Sequence, residues 1–132
     1  MFQHTELTEK IIGAFYDVYN GLGYGFLEKV YENALAIELK HIGCQVEQQK
    51  RILVHYRGQV IGEYYADLVV GDTVIVELKA SSKLLPQYEA QLLNYLKATP
   101  YEVGLLFNFG PIPKVKRKAF GNHNKPNLQL EQ

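Results

Sequence analysis

The chain has little of what covalent or soft-metal chemistry needs. Cys44 is its only cysteine, which excludes an intrachain disulfide and a cysteine-built metal site. His4, His41, His55 and His123 are too scattered to suggest a zinc site. Net charge is also missing: 14 Lys and Arg balance 14 Asp and Glu, so overall charge gives no argument for nucleic acid. No apolar run reaches the ~18 residues of a membrane helix, and no basic-then-apolar leader is present. The expectation is a soluble, cytoplasmic protein with no membrane partner. No internal repeat or linker is found. What is present is globular material: 132 residues, 47% apolar, enough for one domain with a real core. That domain is expected over 1–120, with a polar tail over 121–132.

Periodicity supplies the frame. Leu7, Ile11, Phe15 and Val18 recur at helical spacing, predicting a first helix capped by Thr5 or Thr8 and ending near Tyr19. Asn20-Gly21-Leu22-Gly23-Tyr24-Gly25 breaks it. A second helix is predicted over 26–41, with an apolar stripe of Leu27, Val30, Tyr31, Ala34, Leu35 and Ile37. Strands are predicted at 45–56, 59–70 and 73–80. Pro86 suits the first turn of a helix that reaches Ala98. A buried strand follows over 103–109, and an edge strand over 115–120. The order is ααβββαβ(β), an α/β (α+β) domain whose central mixed sheet is flanked by helices.

Acids interrupt two of these apolar strands. Asp67 sits in Tyr64-Tyr65-Ala66-Asp67-Leu68-Val69-Val70, and Glu77 and Lys79 in Thr73-Val74-Ile75-Val76-Glu77-Leu78-Lys79. Glu77 and Lys79 share a strand face. A buried acid costs several kcal/mol unless it is paired or holds a metal. Whether Asp67 and Glu77 meet depends on the turn. A two-residue turn at Gly71-Asp72 pairs Ala66 with Glu77 and separates the acids. A three-residue loop over Gly71-Asp72-Thr73 pairs Asp67 with Glu77. Lys79 either pairs with Glu77 or orients a water and balances phosphate charge.

Three further features carry a plain and a sharp reading. Glu28 lies between Leu27 and Val30, so it borders or joins the buried stripe, or is simply an acid favoured by the helix dipole. Glu32 reads as its exposed competitor. Gln91 and Tyr95 are one turn apart in a core-facing stripe, where a glutamine needs a partner. No acid occurs between Glu102 and Glu131, while Lys114, Lys116, Arg117, Lys118 and Lys125 fall in that window. They form a solvated tail or a phosphate-contacting edge.

Asp67…Glu77-Leu78-Lys79, with upstream Glu28 and downstream Gln91-x-x-x-Tyr95, resembles the PD-(D/E)XK nuclease superfamily, in its RecB-like branch. Gly25-Phe26-Leu27-Glu28-Lys29-Val30-Tyr31 fits Gly-x-x-Glu-x-x-Tyr and looks like the GxxExxY proteins. Ala66 stands where the superfamily pattern has a proline. The resemblance implies a restriction-endonuclease-like core and phosphodiester hydrolysis in nucleic acid with Mg²⁺ or Mn²⁺, DNA favoured over RNA. It makes Asp67 and Glu77 metal ligands, with the Leu78 backbone carbonyl as a further one. Lys79 would position the attacking water, and Glu28 would hold a water or a second metal. Gln91 would sit beside Lys79, with Tyr31 and Tyr95 in support. Lys114, Lys116, Arg117 and Lys118 are the candidate nucleic-acid contacts. Zero net charge leaves room for a homodimer or a partner protein to supply grip. The rival reading is a nuclease-like fold that binds nucleic acid or a protein without turnover. A weaker third is a small ligand-binding domain with a structural ion-pair network.

Overall fold

In the first helix, Ile11, Ala14, Phe15 and Val18 line up as one buried stripe, and α1 spans Thr5–Leu22. The computed structural model describes residues 4–128. His4, the N-cap residue of α1, makes no capping hydrogen bond through its side chain. Thr8 donates its hydroxyl to the Thr5 carbonyl inside the first turn instead. The glycine-rich link is ordered by a single side chain. Gly23 and Gly25 take φ of 68° and 116°, open to glycine at little cost. The Tyr31 hydroxyl donates to the Gly23 carbonyl at 2.6 Å and accepts the Phe26 N–H at 3.2 Å.

That tie fixes the start of α2 (Glu28–His41), two residues later than 26. It also rotates the stripe. Tyr31, Glu32, Leu35, Ala36 and Leu39 are buried. Leu27, Val30 and Ile37, expected in the core, are 80%, 40% and 70% exposed. Leu27 precedes the helix as its N-cap residue, and the line 31, 35, 39 is the one that meets the sheet.

Five strands form one sheet in the order β1-β2-β3-β4-β5. They are β1 Val46–Tyr56, β2 Gln59–Val70, β3 Val74–Lys79, β4 Val103–Phe109 and β5 Pro113–Ala119. Only β3 and β4 run parallel, and α3 (Pro86–Ala98) makes the crossover that such a pair requires. Helices α1 and α2 cover one face. There Phe15 stacks on Phe107 with centroids 4.4 Å apart, and Tyr31 on Phe109 at 4.3 Å. α3 covers the other face through Leu92, Tyr95 and Leu96, packed with Ile75 and Leu106. Gly104 permits this approach, since a Cβ there would lie 2.7 Å from Leu92 Cδ1. Among the described residues no helix is long and apolar enough to cross a membrane.

The β2–β3 connection is the three-residue loop. Val70 pairs with Val74, Val69 with Ile75 and Leu68 with Val76. Gly71 and Asp72 take φ of 60° and 55°, and the Thr73 N–H donates to the Val70 carbonyl. This parity brings Asp67 opposite Glu77.

Candidate active site

The β2–β3 ladder stops at Leu68 and Val76, and two carboxylates then take the place of backbone bonds. The Asp67 N–H donates to Glu77 Oε2 at 2.7 Å, and the Leu78 N–H donates to Asp67 Oδ2 at 2.8 Å. The oxygens outside these two bonds are Asp67 Oδ1 and Glu77 Oε1. A strand residue presents N–H and C=O to the same side. The Leu78 carbonyl therefore faces the same opening as its N–H.

Glu77 is only 5% exposed. Burial, and then the charge of Asp67, push its carboxyl up to about 8, against the pull of the Asp67 N–H and Lys79. Burial also raises Asp67, opposed by the Leu78 N–H and helped by the charge of Glu32. Two carboxyls that resist ionising side by side are short of positive charge. A divalent cation fits them: hard cations take carboxylate and carbonyl oxygens, and Mg²⁺ keeps several waters of its own. Among the described residues no three His, Cys, Asp or Glu side chains converge on one point. The groups that could hold such a cation here are Asp67, Glu77 and the Leu78 carbonyl.

The helical acids are arranged differently from the sequence expectation. Glu28 is exposed at the first residue of α2, not in the buried stripe. It is close enough for its charge to raise both Asp67 and Glu77. Glu32, expected outside, is 4% exposed. It accepts from Gln49 at 2.8 Å, from Gln48 at 2.8 Å and from Lys29 at 2.9 Å. Helix periodicity could not show this, because two of the three donors come from β1.

Gln49 escaped the sequence reading altogether. Its φ is 54° within β1, between the pairs Gln48 to Leu68 and Lys50 to Ala66, hence across from Asp67. Consecutive strand residues normally point to opposite faces. The left-handed backbone at Gln49 lets Gln48 and Gln49 reach the same acid. Gln49 Nε2 also approaches Asp67 Oδ1, at 3.3 Å. The only sequence trace is two glutamines in a row.

Lys79 Nζ lies over the Tyr88 ring, 4.7 Å from its centroid. Gln91 Nε2 donates to the Tyr95 hydroxyl at 2.9 Å, and both residues line the same cavity as Lys79. Burial and the charge of Glu77 push the Tyr95 hydroxyl up to about 12. Buried Asn108 makes two bonds of 3.0 Å to the Ser81 backbone, pinning the chain just after Lys79.

The basic run divides. Lys114 and Lys116 are exposed on β5, in register with Asn108 and Leu106, which pair in turn with Lys79 and Glu77. Lys118 instead pairs with Glu89 at 2.8 Å. Lys125 is 8% exposed and donates to the carbonyls of Thr99 and Tyr101. It fastens the segment after β5 and is not a free phosphate contact.

A profile of the PD-(D/E)XK nuclease superfamily matches residues 5–120, and the chain belongs to that superfamily. Nucleases of this superfamily generally use divalent metals. No curated protein matches the sequence. The fold is similar to the crystal structure of SSO0001, with a TM-score of 0.57 and 22% identity, over 71% of this chain and 50% of that one. It is also similar to an alkaline exonuclease, LHK-Exo, from Laribacter hongkongensis, with a TM-score of 0.52 and 14% identity, over 93% of this chain and 74% of that one. The chain spans about half the length of SSO0001. At these identities the likeness is one of fold: a restriction-endonuclease-like core.

Proposed function

We propose that this protein hydrolyses phosphodiester bonds in nucleic acid, with DNA favoured, using Mg²⁺ or Mn²⁺. One observation carries the reading. Asp67 and Glu77 meet at the end of the β2–β3 ladder, each tied by one oxygen to the opposite strand's backbone. Asp67, Glu77 and the Leu78 carbonyl would hold the cation. When bound, the cation lowers the pKa of water and offsets charge on the scissile phosphate.

The chain's own groups do the rest. Glu77 would hold the cation as a carboxylate, and the backbone N–H bonds keep both acids aimed. Lys79 orients water and faces the phosphate, and Gln91, held by Tyr95, stands on the same cavity wall. Glu28, near enough for its charge to raise both acids, adds a carboxylate for a water or a second cation. The Gly25-x-x-Glu28-x-x-Tyr31 pattern also supports membership of the GxxExxY group, its Tyr31 tying the turn through Gly23 and Phe26. Lys114 and Lys116 lie two strands from Glu77 and Lys79, roughly 10 Å at ordinary strand spacing, and would meet the neighbouring phosphates.

The test is cleavage of end-labelled DNA and RNA by the purified protein with Mg²⁺ or Mn²⁺. Asp67→Asn, Glu77→Gln and Lys79→Ala are each expected to lose at least about 100-fold in rate with unchanged circular dichroism. Full activity in all three variants would reject the mechanism. Cation-independent cleavage would reject the role of the carboxylates. No cleavage of any substrate, with the fold intact, would favour a binding module.

A further inference from the structure

A cavity of about 920 Å³ has Lys79, Gln91 and Tyr95 on its wall, and Lys79 is two residues from Glu77 on the same strand. This is the upper end of the roughly 300–1,000 Å³ range of ligand pockets. It is bounded by α3, by the far part of the β1–β2 hairpin and by residues after β5. Four aromatic side chains line it: Tyr64, Tyr88, Tyr95 and Phe120. The Tyr64 and Tyr95 rings stand 5.7 Å apart, and Tyr64 is 49% exposed. His55 is also on the wall, and its Nδ1 is buried with no hydrogen-bond partner among the described residues.

We propose that this cavity receives an unpaired base of the nucleic-acid strand whose phosphate lies at Asp67, Glu77 and Lys79. The inference rests on the nuclease reading for the class of ligand and adds the form of the substrate. Aromatic faces stack any base without reading its sequence. A base still paired in a duplex offers only its edges in the grooves. To reach rings set in a pocket between a helix and a hairpin, it must leave its partner. The Lys79 ammonium, already over Tyr88, then bridges ring and phosphate. The preferred substrate is therefore single-stranded nucleic acid, or the frayed end of a duplex.

The experiment measures anisotropy of a short labelled single strand and of its blunt duplex, with Ca²⁺ replacing Mg²⁺ so that binding is read without turnover. Tyr64 is outside the proposed catalytic set and half exposed, so its replacement spares the core. The single strand should bind at least about tenfold tighter than the duplex. Tyr64→Ala should remove most of that preference, and Tyr64→Phe should retain it. An iodouracil-bearing strand should crosslink to Tyr64, Tyr88 or Tyr95. Equal affinity for both forms, a preference that survives Tyr64→Ala, or crosslinks confined to other surfaces would overturn the proposal. The two readings fail separately. Pocket-dependent single-strand binding without cleavage would sink only the nuclease reading. Cation-dependent cleavage of blunt duplex, unchanged in Tyr64→Ala, would sink only the pocket.

Discussion

Gln49 holds a left-handed backbone that costs a non-glycine residue about 1–2 kcal/mol. The cost is offset by its amide, which satisfies buried Glu32 and reaches toward Asp67. Gln49→Ala should lower stability by about 1–3 kcal/mol, because Glu32 loses a donor it cannot replace from water. Urea unfolding measures this, and a change below a few tenths would remove Gln49 from the account. Glu77 makes a prediction of opposite character. Its folded pKa, about 8, is raised above the ordinary carboxylate value. The folded state therefore keeps a proton that the unfolded chain releases. Stability is full below the ordinary value and falls as pH rises toward 8. Without a divalent cation, wild type should lose on the order of 5 kcal/mol across that window, and Glu77→Gln should lose much less. Unfolding at pH 5, 6.5 and 8 checks the sign. Parallel pH profiles for the two proteins would contradict it.

Elements position these residues through two devices. The first is the odd loop at 71–73, which keeps Asp67 and Glu77 on one side of the sheet. The second is the clamp from β4 to the chain leaving β3. Asn108 satisfies both backbone groups of Ser81, two residues beyond Lys79. Asn108→Leu matches the apolar surroundings yet strands the Ser81 N–H and C=O. It should cost about 1–3 kcal/mol of stability and loosen Lys79 as well. Thermal unfolding gives the first effect and the cleavage rate the second. A stable, fully active variant would show that the clamp is dispensable. Element identity was largely legible in advance, because strand and helix periods and the turn residues agree along the chain. The two acids of the strands were legible too. The rotation of α2 was not. It follows from where Tyr31 anchors the preceding turn, and that anchor exposes Glu28 and buries Glu32.

Across the whole molecule the charges balance, so affinity for nucleic acid depends on where the cations are placed. Lys114 and Lys116 stand in rows with Lys79 and Glu77, whereas Lys118 is held by Glu89 and Lys125 by backbone carbonyls. Lys114→Ala and Lys116→Ala should each flatten the slope of log affinity against log salt by about 0.7–0.9, and Lys118→Ala by less. Equal slopes in all three variants would contradict this division. The sequence by itself determined the order of elements, the mixed sheet and the presence of two acids and a lysine in its strands. Each is written in local period, turn chemistry or the cost of an acid in an apolar strand. The structure settled the odd loop that makes the acids meet. Only the tertiary structure decided which helical acid is buried, that Gln49 bends the backbone to serve it, and which lysines remain available. Those outcomes depend on partners from distant strands, and no local pattern encodes a contact between β1 and α2 or between β5 and α3.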